Sequence, residues 1–449
     1  MKSFFYSTLQ ASAKLVALFL CSSGVFAGIP ILHWVQPSGA QVFLIESPTI
    51  AMVDVQIDFD AGSRRDPAVQ AGLANITAQS TSSGVLATKG QAALDEQALS
   101  QAWADLGASF AGTAGSDRMS FKLRTLTYPD VLAKAVALAS RQLTQPSFPD
   151  APWLRDRVKL IASVKEANTR PATLVSRAYN QSVYGQHPYG FEMTEETLKR
   201  ISAHHMRALH ARLIRPCAAR VSIVGAVNRA QADALVAQLL APIPTGTCPT
   251  LPTIAEIQPL AKSTGQRITF PSAQAHVMLG QPGFKRNDPD FFALTVGNHI
   301  LGGGGFTSRL TTEVREKRGL TYSVYSYFEP GLHAGAFTVG LQTRPDQADQ
   351  ALQLVQDVLQ NFVTNGPTEE ELKAAKDNLI GGFALRIDSN RKLLDNVANI
   401  AWNNLPLDYL DTWTTRVQQL TTADIQAAFA RKLQPNTMAM VVLGGADKK

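Results

Sequence analysis

Cysteine is scarce in this chain, three in 449 residues, and Cys21 falls in the apolar stretch near the start. Cys217 and Cys248 form no Cys-x-x-Cys spacing, which excludes a thioredoxin-like redox centre and a cysteine-rich zinc knuckle. In an oxidising compartment the two can close a disulfide; two free buried thiols fit the sequence as well. Beyond residue 27 no apolar run approaches the roughly 20 residues that span a bilayer. Catalytic signatures are missing too. There is no His-Glu-x-x-His and no Gly-x-Ser-x-Gly elbow, and the serine-rich stretch 80–83 has no base nearby. Glycines 302–305 lack the Gly-Lys-Ser/Thr continuation of a phosphate loop. Asp95 and Glu96 open a helix, where carboxylates ordinarily serve the dipole. Charge is dilute and nearly balanced, 42 Lys and Arg against 36 Asp and Glu. No basic cluster is interleaved with aromatics, so a nucleic-acid footprint is excluded.

What is present begins with a leader. Lys2 and Lys14 supply positive charge, residues 15–21 form a short apolar core, and Val25-Phe26-Ala27 is a small-x-small cleavage site. Residues 1–27 are therefore expected to be a signal peptide. The residues before Cys21 are Leu-Phe-Leu, without the small residue that precedes a lipidated cysteine. The mature protein is expected to be exported, most simply to the periplasm, with no stable membrane insertion.

The remainder suffices for two ordinary domains, and it reads as a duplication. From Val53, VDVQIDFDAGSRRDPAVQAGLANITAQS places an alternating strand, a Gly-Ser-Arg-Arg-Asp-Pro turn and a helix in order. From Ala275, AHVMLGQPGFKRNDPDFFALTVGNHILGG repeats that order. The alternation of Val53, Val55, Ile57 and Phe59 suits a sheet with one covered face. Helical periodicity marks residues 94–106, 131–143, 153–168, 171–183 and 195–213. Strands are expected at 220–224, 336–342 and 438–443. The fold class is α+β: two homologous halves, each a mainly antiparallel sheet backed by helices. Their bounds are 28–242 and 265–449. The Pro- and Thr-rich segment 243–264 joins them as an extended, poorly packed linker.

Residues 302–326 read GGGGFTSRLTTEVREKRGLTYSVYS. Thr307 or Ser308 can cap a short helix, Glu313 and Lys317 form an i,i+4 pair, and Gly319 suits a left-handed helix end. Arg315 lies in the last helical turn and Tyr322 opens the next strand, so the reversal can bring both head groups together. A guanidinium beside a phenol makes a donor pair suited to a peptide carbonyl or its oxyanion. The plainer alternative has Arg315 answering nearby carboxylates and Tyr322 half-buried as packing.

This wording closely resembles the second-domain signature of the pitrilysin/insulinase-type metallopeptidases, the inverzincins. The resemblance implies that the halves face each other like a clamshell, and that Arg315 and Tyr322 hold substrate against a zinc site on another domain. In that family the first-domain helix carries His-x-x-Glu-His, two zinc ligands on one face and a general base. Here Asn75 and Gln79 stand at the histidine positions and Ala78 at the glutamate. Amides are poor zinc ligands and alanine takes no proton. The family's third ligand, a glutamate about 25 residues before the proline of a turn like His187-Pro188-Tyr189-Gly190, falls on Ser163; Glu166 is nearby but faces differently. His204, His205 and His210 share one helix without ligand spacing and read as a solvated or capping group. His187 reads as part of its turn, and His299 has no partner at ligand spacing.

A chain with the substrate-holding half of a site and no metal half fits a division of labour that the family resemblance also implies. The expected function is that of a non-zinc-binding subunit of an exported heteromeric metallopeptidase. It carries no cofactor itself, and zinc is expected in a homologous partner subunit. Its substrates are expected to be extended peptides, held as an added strand. The alternatives are a catalytically inactive peptide-binding or scaffold protein, and a self-sufficient hydrolase with an unrecognised site.

Overall fold

Every second residue of the strand Met52–Phe59 is apolar, yet Asp54, Gln56 and Asp58 between them are buried as well. The sheet it belongs to is covered on both faces, not one, and the reason is tertiary. In a computed structural model, which describes residues 28–243, 248 and 250–445, this strand is β3. The expected leader, 1–27, lies outside the described residues. The strands are β1 (Leu32–Val35), β2 (Gln41–Glu46), β3, the short β4 (Gly84–Val85) and β5 (Leu94–Asp95), β6 (Ser109–Ala114), β7 (Met119–Leu126) and β8 (Arg220–Gly225) in the first half. The second half has β9 (Thr264–Ile268), β10 (Ala275–Pro282), β11 (Val324–Phe328), β12 (Ala336–Thr343) and β13 (Ala439–Leu443).

The first main sheet runs β1-β2-β8-β3-β7-β6 and the second β11-β12-β10-β13-β9. Read from the opposite end, the second repeats the first without β1. In each, one pair is parallel (β2 with β8, β13 with β9) and every other pair antiparallel. The duplication read from the sequence is thus a duplication of topology.

The two shells are fastened by an exchange of helices. The first half's helix Pro171–Tyr184 packs on β10 and β13, while the second half's helix Asn390–Trp402 packs on β8 and β3. Tyr179, wholly buried, donates its hydroxyl proton to the carbonyl of Phe337 at 2.7 Å and lies 3.0 Å from the Thr338 hydroxyl. Arg118 reaches the other way, to the carbonyl of Ala398, and pairs with buried Asp58. Arg118 and the Ser120 hydroxyl answer Asp58, the Gln56 amide donates to the same carboxylate, and Arg124 pairs with Asp54.

Two other expectations change. The helix expected over 195–213 is two, Glu195–Arg200 and Ala203–Leu213, because the Ser202 side chain caps the second one in a reciprocal box with His205. The connection is better fastened than its composition suggests. Cys217 and Cys248 are disulfide-bonded, Ile257 is buried, and Glu256 accepts from the Ala334 amide and pairs with Lys285. Among the described residues no helix is long and apolar enough to cross a membrane.

Candidate functional site

The stretch from Asn298 to Phe328 is wound tightly. Two single π-helical turns, His299–Gly303 and Thr311–Glu316, flank a 3₁₀ turn, and such turns are frequent at functional sites. Glycine is required where this stretch crosses β11: a Cβ on Gly302 would lie 2.4 Å from the Ser326 hydroxyl. Neither expected cap accepts a backbone amide of the helix. Ser308 Oγ turns back to the Gly305 carbonyl and to Thr311, and Thr307 to the Gly304 carbonyl. Gly319 does close the helix, at φ +59°, with its amide on the Arg315 carbonyl.

Glu313 collects the neighbouring cations. Lys317 and Arg318 both pair with it and hold its carboxyl below the ordinary range. Arg315 takes no share: among the described residues its guanidinium has no hydrogen bond or ion pair, and it lies 4.7 Å from the centre of the Phe306 ring. Tyr322 is 83% exposed. The plainer alternative, a carboxylate-bound arginine and a half-buried tyrosine, therefore fails for both residues.

The two side chains line different cavities. Arg315 borders a cavity of about 620 Å³ with Phe306, Asn298 and Thr311. Tyr322 borders a second, of about 360 Å³, with His276 and with Ser176 of the exchanged helix. Ser323, Tyr325 and Tyr327 line both. The tyrosine rings stack 5.9 Å apart on the wall that the two cavities share. His276, which burial holds toward its neutral form, and the Tyr325–Tyr327 pair were not singled out in the sequence. Their one signal was the Tyr-x-Tyr spacing on a strand.

In the first half the zinc-motif positions fall on the helix Leu73–Ser80. Gln79 donates to the Asn75 side-chain oxygen at 2.7 Å, and Asn75 donates to the carbonyl of Ala114 on edge strand β6 at 3.1 Å. Ala78 is wholly buried, so no base could stand there without repacking. Ser163 is exposed on the helix Asp150–Ala167, and Glu166 pairs with Arg170. These residues do not fit zinc: the two amides satisfy each other and a strand, and no carboxylate or imidazole joins them. Among the described residues no group of three His, Cys, Asp or Glu could hold a metal.

The second half contains the same amide clamp. Asn298 lies as far beyond the start of β10 as Asn75 lies beyond the start of β3. Its Nδ2 donates to the Ser326 carbonyl on edge strand β11 at 3.0 Å, and its Oδ1 accepts from the Ser326 hydroxyl. The remaining histidines are structural. His205 caps at Ser202, and His210 binds the Leu143 carbonyl at 2.8 Å. His187 Nδ1 accepts from the Tyr189 amide within its turn, and His299 is partly buried.

Two homologous sheet-and-helix halves, one with a clamped amide pair where a metal would sit, define a metallopeptidase fold without its metal half. Sequence profiles agree: residues 41–196 match "Insulinase (Peptidase family M16)" and residues 200–379 match "Peptidase M16 inactive domain". A crystal structure described as the peptidase M16 inactive domain from Pseudomonas fluorescens is 34% identical. It superposes with a TM-score of 0.86 over 93% of this chain and all of that one. An uncharacterised zinc protease of Streptomyces coelicolor is 28% identical over 308 residues, covering 66% of this chain and 65% of that protein. A non-peptidase homologue of Helicobacter pylori is 31% identical over 180 residues, 39% of this chain and 40% of that one. The chain belongs to the insulinase-type M16 peptidase family.

Proposed function

We propose that this protein is the metal-free subunit of an exported heteromeric M16 peptidase, and that it supplies Arg315 and Tyr322 to the zinc site of a homologous subunit. The observation that carries the reading is the contrast between the halves. Arg315 is unpaired and Tyr322 exposed beside open cavities, while Asn75, Ala78 and Gln79 are clamped or buried in a form that cannot take a metal. Zinc bound by the partner would supply the attacking water. Arg315 polarises the scissile carbonyl and stabilises the charge that develops on its oxygen, and Tyr322 donates a hydrogen bond to the same centre. The peptide is an extended segment held by backbone bonds. The Cys217–Cys248 disulfide supports an oxidising compartment and hence export, most simply to the periplasm.

The test is a quenched-peptide assay of the chain alone, of a homologous exported subunit bearing His-x-x-Glu-His, and of the mixture. Hydrolysis is expected in the mixture and should fall by about 10²–10³ in Arg315→Ala. Undiminished turnover by Arg315→Ala and Tyr322→Phe would overturn the assignment, as would stoichiometric zinc on the lone chain. The name of the Helicobacter relative favours a second reading, a non-catalytic peptide binder or scaffold. Under it the mixture is no more active than the zinc-bearing subunit alone.

A further inference from the structure

Of the four exposed aromatic side chains among the described residues (Tyr128, Phe306, Tyr322 and Tyr325), three border the single strand β11. Exposed aromatics gathered in this way mark a binding surface. Phe306 is 68% exposed, and on one side it carries the Arg315 guanidinium. Tyr325 is 44% exposed, and its ring lies flat against Gly340 of β12, where a Cβ would meet the hydroxyl at 2.4 Å. Tyr327 stacks on it with an interplanar angle of 19°. The cavity of about 620 Å³ is lined by Phe306, Tyr325 and Tyr327 and by Arg315, whose guanidinium has no ion pair among the described residues.

We infer that this cavity is a side-chain subsite that selects an aromatic residue of the bound peptide. The inference rests on the peptide-holding role proposed for Arg315 and names the class of residue it favours. Aromatic lining suits another ring better than a branched aliphatic chain, because ring faces and edges carry opposite partial charge. The unpaired guanidinium adds attraction for the same ring face. An acidic side chain would meet that one cation but would bury its remaining surface against three rings. A strand held at Arg315 and Tyr322 directs one side chain into the cavity that Arg315 lines.

Binding to the full chain, without any partner, tests this apart from catalysis. The probes are unstructured Gly/Ser-rich 12-residue peptides with one central Phe, Leu, Glu or Ala, followed by calorimetry. The Phe peptide should bind about tenfold more tightly than the Ala peptide and severalfold more tightly than the Leu peptide. Phe306→Ala and Tyr325→Ser should each erase that preference while circular dichroism shows the fold unchanged. Equal affinity for all four peptides, no binding by any, a preference for Glu, or a Phe preference that survives both variants would overturn the inference. If the Phe preference holds yet the mixture shows no gain in peptidase activity, the subsite stands and the co-catalytic role falls.

Discussion

At the scale of single residues, the positions that the family resemblance aligns with a zinc motif form a structural joint. Asn75 links a helix to an edge strand through one hydrogen bond and accepts another from Gln79. Asn75→Ala should cost about 1 kcal/mol, read by urea denaturation. Restoring the family's glutamate is harsher. Ala78→Glu forces a carboxyl into a fully buried place and should cost more than about 2 kcal/mol. Asp66 governs the pH response of the same helix. Its carboxylate accepts from the amides of Gly72 and Ala74, yet burial pushes its pKa up to about 7. A carboxyl whose folded pKa exceeds its unfolded value binds more protons when folded, so its contribution to stability falls as pH rises between those values. From pH 5 to pH 8 that loss should be on the order of 2 kcal/mol. Asp66→Asn should remove this part of the pH dependence in denaturation curves, and an unchanged profile would refute it.

Elements decide where the site residues point. The helix that carries Arg315 is π-wound and closed by Gly319, and the strand after it carries tyrosines on alternate residues. Local chemistry foretold the Glu313–Lys317 pair and the glycine turn. It did not foretell that Tyr325 and Tyr327 would line the cavities of both Arg315 and Tyr322, because side-chain direction depends on how β11 crosses the glycine-lined turn. The segment between the halves shows the reverse. Its composition argued for looseness, but the disulfide pins it, closing a loop across a sequence separation of 31. Removing that bond by Cys217→Ser with Cys248→Ser should cost about 3 kcal/mol. Denaturation midpoints of wild type with and without reductant should differ in the same direction.

The whole molecule is held together by reciprocity. Each half lends one helix to the other's sheet, so neither sheet is covered on both faces without its neighbour. The halves should therefore unfold together: calorimetry should show one transition with matching calorimetric and van't Hoff enthalpies, and two resolved peaks would refute the coupling. Tyr179→Phe, which removes one donor at that junction, should lower stability by about 1–2 kcal/mol without splitting the transition.

Periodicity and repeated motif order were enough to read the α+β duplication and the mainly antiparallel sheets, since each depends on residue type and spacing along one segment. The helix exchange, the burial of Asp54 and Asp58, and the twin amide clamps of Asn75 and Asn298 arise between segments distant in the chain. Only packing selects among the partners that each such segment could have met.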